Sequence, residues 1–155
     1  CQEMLMALTT LAAQLKLTRN ASAPVLVYVV TDAPCRQRLS KPLFAAQLSA
    51  SVKVKPILVS DVPSWGKTDL YKPCAAVRLY LPDLLPTRRL LYMDSDTIVV
   101  GPVDQAFKIM EDHDERTLFW SDGSSGVLGI NLERWSQHGL DSLLKDAMDL
   151  GEQGK

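Results

Sequence analysis

The sequence predicts an α/β fold in which a mostly parallel sheet is flanked by helices. Three observations predict it: helical and strand patterns alternate along the chain, residues 25–30 form a continuous apolar run rich in β-branched side chains, and a second apolar run at 90–93 leads directly into polar residues. A strand without a polar face is typical of a parallel sheet that helices cover on both sides. Such sheets bind ligands beyond the carboxyl ends of their strands.

The first half of the chain alternates helix and strand. Apolar residues recur at helical spacing over 3–17, which predicts an opening helix before the first strand. Asp32 is suited to cap a second helix and Pro34 is tolerated in its first turn, so we expect that helix to run to about residue 49. A second strand is predicted at 53–60.

The second half of the chain repeats the alternation around a central strand. Prolines 82 and 86 are expected to end a helix just before that strand, and no segment reads as a linker between two domains. The predicted elements are a helix at 71–81, the strand at 90–93, a helix at 103–110, a charged loop at 111–115, strands at 117–120 and 126–131 around a polar loop, and a last helix at 132–150.

Composition excludes some function classes. The chain has 155 residues, of which 46% are hydrophobic and 23% charged, which is typical of a globular domain with a real core. The formal net charge is −1 and no long basic run occurs, so nucleic-acid binding has no electrostatic support. No apolar segment is long enough to span a membrane. Cys1, Cys35 and Cys74 lack metal-ligand spacing, and their odd number leaves their disulfide state open.

The central strand delivers two carboxylates, Asp94 and Asp96, separated by Ser95. On an extended backbone, residues two apart project to the same side, so the two carboxylates can converge. Hard divalent cations such as Mg²⁺ and Mn²⁺ prefer oxygen ligands of this kind. Apolar residues on both sides of the motif predict a buried position, where carboxylates are costly without a cation or hydrogen-bond donors. The alternative interpretation is that the aspartates only cap the end of a strand.

A rival chemistry uses the same residue types. An apolar strand followed by Asp-x-Asp and a nearby threonine, here Thr97, is similar to the way phosphatases of the haloacid dehalogenase kind present a nucleophilic aspartate beside a general acid. That motif usually lies on an early strand, whereas 93 residues precede Asp94 here. Phosphate release from a generic phosphoester, lost in Asp94→Asn, would identify this class.

Several segments taken together resemble one family. YKPCAAVRLYLP at 71–82, LLYMDSDTIVVGPVDQ at 90–105 and SGVLGIN at 125–131 occur in the order and at the separations seen in glycosyltransferase family 8, with most likeness to the glucoside xylosyltransferases. The resemblance covers roughly residues 70 to 135. It implies a GT-A-type nucleotide-diphospho-sugar transferase fold, here incomplete at both ends, so that residues 1–155 would be the central part of one catalytic domain.

The family resemblance also implies a reaction. Members transfer a sugar from a UDP-sugar to a hydroxyl acceptor with retention at the anomeric carbon, using Mn²⁺, with Mg²⁺ as the alternative cation. Asp94 and Asp96 would hold the metal that bridges the donor phosphates, and Ser95 would lie beside the donor. Lys72 and Arg78 would lie along the donor diphosphate and sugar. No catalytic residue or third metal ligand is identified within the chain.

The remaining donor-binding residues each have a second interpretation. Lys72 also reads as a solvated lysine at a helix start, and Arg78 as the partner of Asp83 in an ion pair. Family members usually carry Asn at the position of Ser124, and the shorter serine hydroxyl reaches less far toward a donor sugar. Gly126 permits close backbone approach, although glycine there also suits a tight entry to a strand.

The resemblance extends to donor, acceptor and compartment. It implies UDP-xylose as donor, an O-linked glucose on epidermal-growth-factor-like repeats as acceptor, and a type II membrane protein of the Golgi or endoplasmic reticulum lumen whose anchor lies outside these residues. The sequon at Asn20 reads as a chance match when it is taken alone, and the resemblance makes it an expected glycosylation site. His113 and His138 do not match the family's metal-binding histidine and are expected to be solvated. Residues 1–155 alone are expected to be inactive, and a non-catalytic or truncated family member that binds nucleotide or a partner protein is the alternative.

Overall fold

The computed structural model describes residues 1–18, 24–41, 48, 52–58, 60, 77–121, 124–140, 142–143 and 146. The chain forms two compact units. The first contains Cys1–Asp61 and Met93–Phe107, and the second contains Val62–Tyr92 and Lys108–Lys155. No helix within the described ranges is long and apolar enough to cross a bilayer. That residues 1–155 belong to one catalytic domain stays a prediction.

The first unit is built from two helices and a parallel pair of strands. The elements are α1 (Gln2–Thr18), β1 (Val25–Thr31), α2 (Ala33–Leu39) and β2 (Val52–Leu58). The two strands pair in parallel, with Val25 opposite Val52 and Thr31 opposite Leu58. Both helices begin and both strands lie where the sequence predicts them, and the parallel pairing is confirmed.

The core of the first unit lies between α1 and one face of the β1–β2 sheet. The buried stripe of α1 is the helical face predicted from apolar spacing, with Leu11 and Leu15 almost completely buried. A disulfide joins Cys1 to Cys35 and ties the start of α1 to α2, with the two Cα atoms 5.6 Å apart. Burial of β1 on both faces was a wrong prediction, because Leu26 on the other face is 46% exposed.

The helix α2 begins as predicted and ends early. The Asp32 side chain accepts a hydrogen bond of 2.8 Å from the Cys35 amide and caps the first turn, which also holds Pro34. The predicted continuation of this helix to residue 49 is wrong, since α2 ends at Leu39 and Ser40 is its C-cap. Pro42 explains the end, because a residue that precedes proline is disfavoured in helical conformation.

The second unit contains a three-stranded sheet with an antiparallel hairpin. Its strands are β3 (Arg89–Met93), β4 (Leu118–Ser121) and β5 (Ser124–Asn131), in the order β3-β5-β4, and β4 pairs antiparallel with β5. Its helical segments are a 3₁₀ helix (Val77–Tyr80), α3 (Leu81–Leu84), α4 (Val103–Asp112), which begins in the first unit, and α5 (Leu132–Gln137).

Two helix ends differ from the sequence prediction for local reasons. Pro82 does not end a helix but lies in the first turn of α3, where its missing amide costs nothing. The last predicted helix, 132–150, is interrupted after Gln137, because Gly139 adopts a positive φ of 63° and the chain turns; the described residues beyond it, Leu140, Ser142, Leu143 and Asp146, are helical again. Strand β5 begins at Ser124, two residues before the predicted start, and the hairpin register is irregular between Trp120 and Ser121.

Candidate functional site

The acidic motif lies in a turn directly after β3. The Asp94 carbonyl oxygen accepts a hydrogen bond of 3.1 Å from the Thr97 amide, so residues 94–97 form a four-residue turn. The prediction that Asp94 and Asp96 project to one side of an extended backbone is therefore wrong. Aspartate is favoured at the first position of such a turn, and the preceding strand β3 ends at Met93.

The turn exposes most of the motif to solvent. Asp94 is half-buried, whereas Ser95 and Asp96 are exposed. The expectation that both carboxylates are buried is wrong for Asp96, and desolvation therefore does not by itself require a cation there. The donor set still fits a hard divalent cation, since two carboxylates on one turn offer only oxygen ligands, and such cations keep part of their water shell.

The chain after the turn is fastened to the core of the first unit. The Val99 amide donates a hydrogen bond of 3.2 Å to the Thr10 hydroxyl on α1, and Val99 and Val103 pack against the core. On either side of Val99, Ile98 is 56% exposed and Val100 is 83% exposed. The apolar segment after the motif is thus not an interior strand, but its alternate residues hold the turn in place.

A small cavity opens beside Asp96. Its lining consists of Glu3, Met6, Asp96, Thr97 and Ile98. Two of these residues, Glu3 and Asp96, carry carboxylates, whereas most of the lining surface is apolar. Within the described part of the chain, no group of three or more His, Cys, Asp or Glu side chains is arranged to hold a metal ion. Asp94 and Asp96 remain the residues that could hold one.

The second unit holds Arg78 against an aromatic ring. Arg78 lies in the 3₁₀ helix and is half-buried, and its guanidinium carbon is 5.1 Å from the centroid of the Tyr92 ring on β3. This distance is within the range of a cation–π interaction. Sequence reasoning missed Tyr92, although an aromatic residue two positions before Asp94 was a visible signal.

Two of the other predicted site residues, Ser124 and Gly126, lie within the described part of the chain. Ser124 is the first residue of β5, where its Cα pairs with Ser121, and Gly126 is half-buried two residues further along the strand. Lys72 lies outside the described residues. The same holds for two other residues singled out from the sequence, Asn20 and Cys74.

A polar network that the sequence did not reveal joins three parts of the second unit. Asp114 accepts hydrogen bonds from the Arg89 guanidinium and, at 3.1 Å, from the Asn131 amide group, and its backbone carbonyl accepts one of 3.1 Å from Arg134 Nε. Asn131 is 1% exposed and also caps α5 by accepting a hydrogen bond of 3.2 Å from the Arg134 amide. The hydrogen bond from Arg89 lowers the pKa of Asp114 below its ordinary value. The network links the start of β3 to the junction of β5 and α5.

Two further side-chain groups are solvated. His113 and His138 are both exposed, as predicted, and the nearest carboxylate to His113 is that of Glu115, with 3.6 Å between Nδ1 and Oε1. Neither histidine is placed as a metal ligand among the described residues.

Comparisons of the sequence find relatives over part of the chain. Glucoside xylosyltransferase 2 of Mus musculus is 43% identical over 53 residues, which are 34% of this chain and 12% of that protein. Glucoside xylosyltransferase 2 of Xenopus laevis is 36% identical over 73 residues, which are 44% of this chain and 17% of that protein. Glucoside xylosyltransferase 1 of Rattus norvegicus is 44% identical over 48 residues. The matched segments thus span less than a fifth of each relative, and no family model matches the chain.

Comparisons of the structure extend the likeness to nearly the whole chain. The glycosyltransferase GlyE of Streptococcus pneumoniae TIGR4 matches 99% of this chain and 37% of its own, with a TM-score of 0.59 and 16% identity. Mouse xyloside xylosyltransferase 1 in its apo form matches 98% of this chain and 68% of its own, with a TM-score of 0.62 and 14% identity. At identities of 14% and 16%, these structural matches show the fold alone. It is the GT-A-type α/β fold that the family resemblance implied. Over 30–44% of its length the chain is thus similar in sequence to the glucoside xylosyltransferases, and the resemblance carried by its motifs is confirmed.

Proposed function

We propose that the protein is a retaining glycosyltransferase that transfers xylose from UDP-xylose to a hydroxyl of an O-linked glucose on a glycoprotein. The observation that carries the proposal is the Asp94–Asp96 turn. It lies at the carboxyl end of β3, open to solvent, in a chain related to the glucoside xylosyltransferases. Acceptor glucose on epidermal-growth-factor-like repeats is part of the same proposal.

The donor site is proposed to form around Mn²⁺, with Mg²⁺ as the alternative cation. Asp94 and Asp96 would hold the cation through carboxylate oxygens, the ligand type that both metals prefer. When bound, the cation would neutralise negative charge that builds on the departing diphosphate.

Other side chains are proposed to bind the donor directly. Arg78 presents a permanently charged, planar guanidinium, the group best suited to donate paired hydrogen bonds to phosphate oxygens. Lys72 would add a second positive charge along the diphosphate. Ser95 and Ser124 would offer hydroxyls to the donor, and Gly126 would let the backbone come close to the sugar. The catalytic residue is not assigned.

The proposed compartment is the Golgi or endoplasmic reticulum lumen, with membrane attachment through an anchor outside residues 1–155 and glycosylation at Asn20. The Cys1–Cys35 disulfide supports this proposal, since disulfides persist in oxidising compartments and are rare in the cytosol. We expect the full-length protein to be retained in the secretory pathway. We also expect Asn20→Gln to lose one glycan.

Calorimetric titration of the full-length protein with UDP, with and without Mn²⁺, tests the proposal. We expect binding to depend on Mn²⁺, and Asp96→Ala to weaken the Mn²⁺-dependent binding by about tenfold or more, since even outer-sphere changes at metal sites have effects of that size. The matched control is Asp112→Ala, which removes an exposed carboxylate at the end of α4.

Three outcomes would separate the possibilities. Mn²⁺-dependent UDP binding that survives Asp96→Ala would refute the assignment of the site. No UDP binding at any Mn²⁺ concentration would refute the function. UDP binding without transfer from UDP-xylose to a glucosylated peptide would favour a non-catalytic member of the family. The observation in favour of that second candidate is Ser124, at the position where the family resemblance implies asparagine.

A further inference from the structure

We propose that Thr10 is a positioning residue of the donor site, whose hydroxyl on α1 holds the chain just after the Asp94–Asp96 turn. The inference rests on the proposed function, which makes that turn the Mn²⁺ site. Its structural basis is a hydrogen bond of 3.2 Å that the Val99 amide donates to the Thr10 hydroxyl, across 89 positions of the sequence. Thr10, Val99 and the turn all belong to the first compact unit.

A second hydrogen bond makes the Thr10 hydroxyl an acceptor. The hydroxyl donates its own hydrogen to the Ala7 carbonyl, three residues earlier on α1, at a distance of 3.0 Å. A hydroxyl has one hydrogen and two lone pairs, so donation within the helix leaves the lone pairs to accept from outside it. The bond to Ala7 therefore fixes the rotation of the hydroxyl in the sense that suits an amide donor.

Val99 is held by its side chain as well as by its amide. It is half-buried and packs against the core of the first unit, as does Met93 immediately before the turn. The turn at 94–97 thus lies between two positions that pack against the same core. A half-buried amide without an acceptor is costly, so the segment around Val99 would shift toward another partner if Thr10 offered none.

The position of the turn affects how well its carboxylates can hold a cation. The hydrogen bond of 3.1 Å from the Thr97 amide to the Asp94 carbonyl closes the turn internally but does not fix it relative to α1. Three residues separate Asp96 from Val99 along the chain, a stretch that spans at most about 10 Å, so a shift at Val99 is felt at the carboxylate. An arrangement that is populated only part of the time binds with proportionally lower apparent affinity. Loss of the Thr10 acceptor should therefore weaken Mn²⁺ binding while both proposed ligands remain.

Helix α1 also supplies a matched control. Thr9 is exposed, and its hydroxyl donates a hydrogen bond of 2.8 Å to the Leu5 carbonyl, so it resembles Thr10 in its bond within the helix. In the part of the chain that the structure describes, the bond to the Val99 amide belongs to Thr10 and not to Thr9. Valine at position 9 therefore removes the same kind of helical bond and leaves the segment after the turn untouched.

Titration of the full-length protein with Mn²⁺ in the presence of UDP tests the inference. We expect Thr10→Val to raise the Kd for Mn²⁺ by about three- to tenfold, at the low end of what outer-sphere changes at metal sites produce. Thr10→Ser keeps the acceptor and should stay within about twofold of the unchanged protein. Thr9→Val should leave the Kd unchanged.

Hydrogen exchange of the metal-free protein gives a second readout. The peptide that contains residues 94–99 should exchange faster in Thr10→Val than in Thr9→Val, because the segment opens more often without its anchor. Equal exchange in the two variants would contradict the positioning role.

A merely structural role of Thr10 gives a different pattern. Thr10→Val would then lower the urea midpoint and leave the Kd for Mn²⁺ unchanged, which would overturn the inference. If Thr10→Val does not fold, an ester in place of the Val99 amide removes the donor and keeps both side chains. That ester should raise the Kd as valine at position 10 does, and an unchanged Kd would likewise overturn the inference.

Failure of the inference and failure of the proposed function give distinct results. Equal Kd values for Thr9→Val and Thr10→Val, in a protein whose UDP binding requires Mn²⁺ and is weakened by Asp96→Ala, would overturn the role of Thr10 alone. UDP binding that is independent of Mn²⁺, or unaffected by Asp96→Ala, would overturn the donor site on which the inference rests.

Discussion

Replacement of Gly129 by alanine is expected to destabilise the second unit. Gly129 lies in the buried middle of β5, opposite Phe119 on β4. A Cβ at this position would lie 2.7 Å from the Met110 sulfur and 3.1 Å from the Phe119 Cβ, whereas ordinary contacts begin near 3.4 Å. Met110 is 1% exposed and has little room to withdraw. Steric overlap therefore decides the outcome.

The magnitude follows from two opposing effects. Overpacking of a closely packed core costs about 1–3 kcal/mol. Alanine regains about 0.5–1 kcal/mol, because glycine in a strand loses more backbone entropy on folding. The difference between these ranges is about 0–2.5 kcal/mol, and because the new Cβ would approach a buried sulfur to 2.7 Å we expect Gly129→Ala to lower the free energy of unfolding by about 1–2 kcal/mol.

Urea titration of the full-length protein measures the effect. The matched control is Gly101→Ala, since a Cβ at Gly101 would meet no atom within 4 Å, and its midpoint should equal or exceed that of the unchanged protein. Shortening the clashing side chain in Met110→Ala should make the further change Gly129→Ala less costly than it is alone. Equal midpoints for Gly129→Ala and Gly101→Ala would refute the packing argument.

Two further predictions concern the disulfide and the polar network. Cys1→Ser removes the cross-link over a sequence separation of 34 residues, and the chain-entropy model gives a loss of about 4 kcal/mol in unfolding free energy. The exposed Cys1 is the cysteine to change because Cys35 is buried; a variant as stable as the oxidised protein would contradict the model. The hydrogen bond from Arg89 lowers the pKa of Asp114, so the ionised Asp114 carboxylate stabilises the folded protein. This stabilisation is complete above the ordinary pKa of 3.8 and is lost as the pH falls through the lower pKa of the folded state. The unchanged protein should therefore have a higher free energy of unfolding than Asp114→Asn near neutral pH, and this difference should shrink in that acidic range. A difference that grows on acidification would contradict the predicted direction of the pH dependence.

Local signals predicted most elements of the fold. The periodic apolar residues of α1, the β-branched run of β1 and the Asp32 cap each depend on neighbours within a few residues, so the sequence alone contained the information. The wrong boundaries also had local causes that were visible in the sequence. Pro42 follows the end of α2 by three residues, and Gly139 follows the end of α5 by two.

The candidate site was harder to predict, because a local turn competed with the extended pattern and another contact joins residues far apart in the chain. The Asp94–Thr97 hydrogen bond replaces the extended conformation that an alternating pattern suggested, and it leaves Asp96 in solvent. The ring of Tyr92 meets Arg78 from 14 positions along the chain. Such contacts are set by tertiary packing, which overrides local preference and has no signature in spacing.

The hydroxyl of Thr10 ties one position of α1 to a segment 89 residues away in the sequence. It donates a hydrogen bond of 3.0 Å to the Ala7 carbonyl and accepts one of 3.2 Å from the Val99 amide, just beyond the acidic turn. Valine has nearly the shape of threonine but would leave that amide without its acceptor, whereas serine would keep it. The side chains that this half-exposed helical position can accept are therefore limited by the need for a hydrogen-bond acceptor rather than by size. A substitution of Thr10 that is harmless to the helix itself would still remove the acceptor of the Val99 amide. It would thereby loosen the segment that follows the acidic turn.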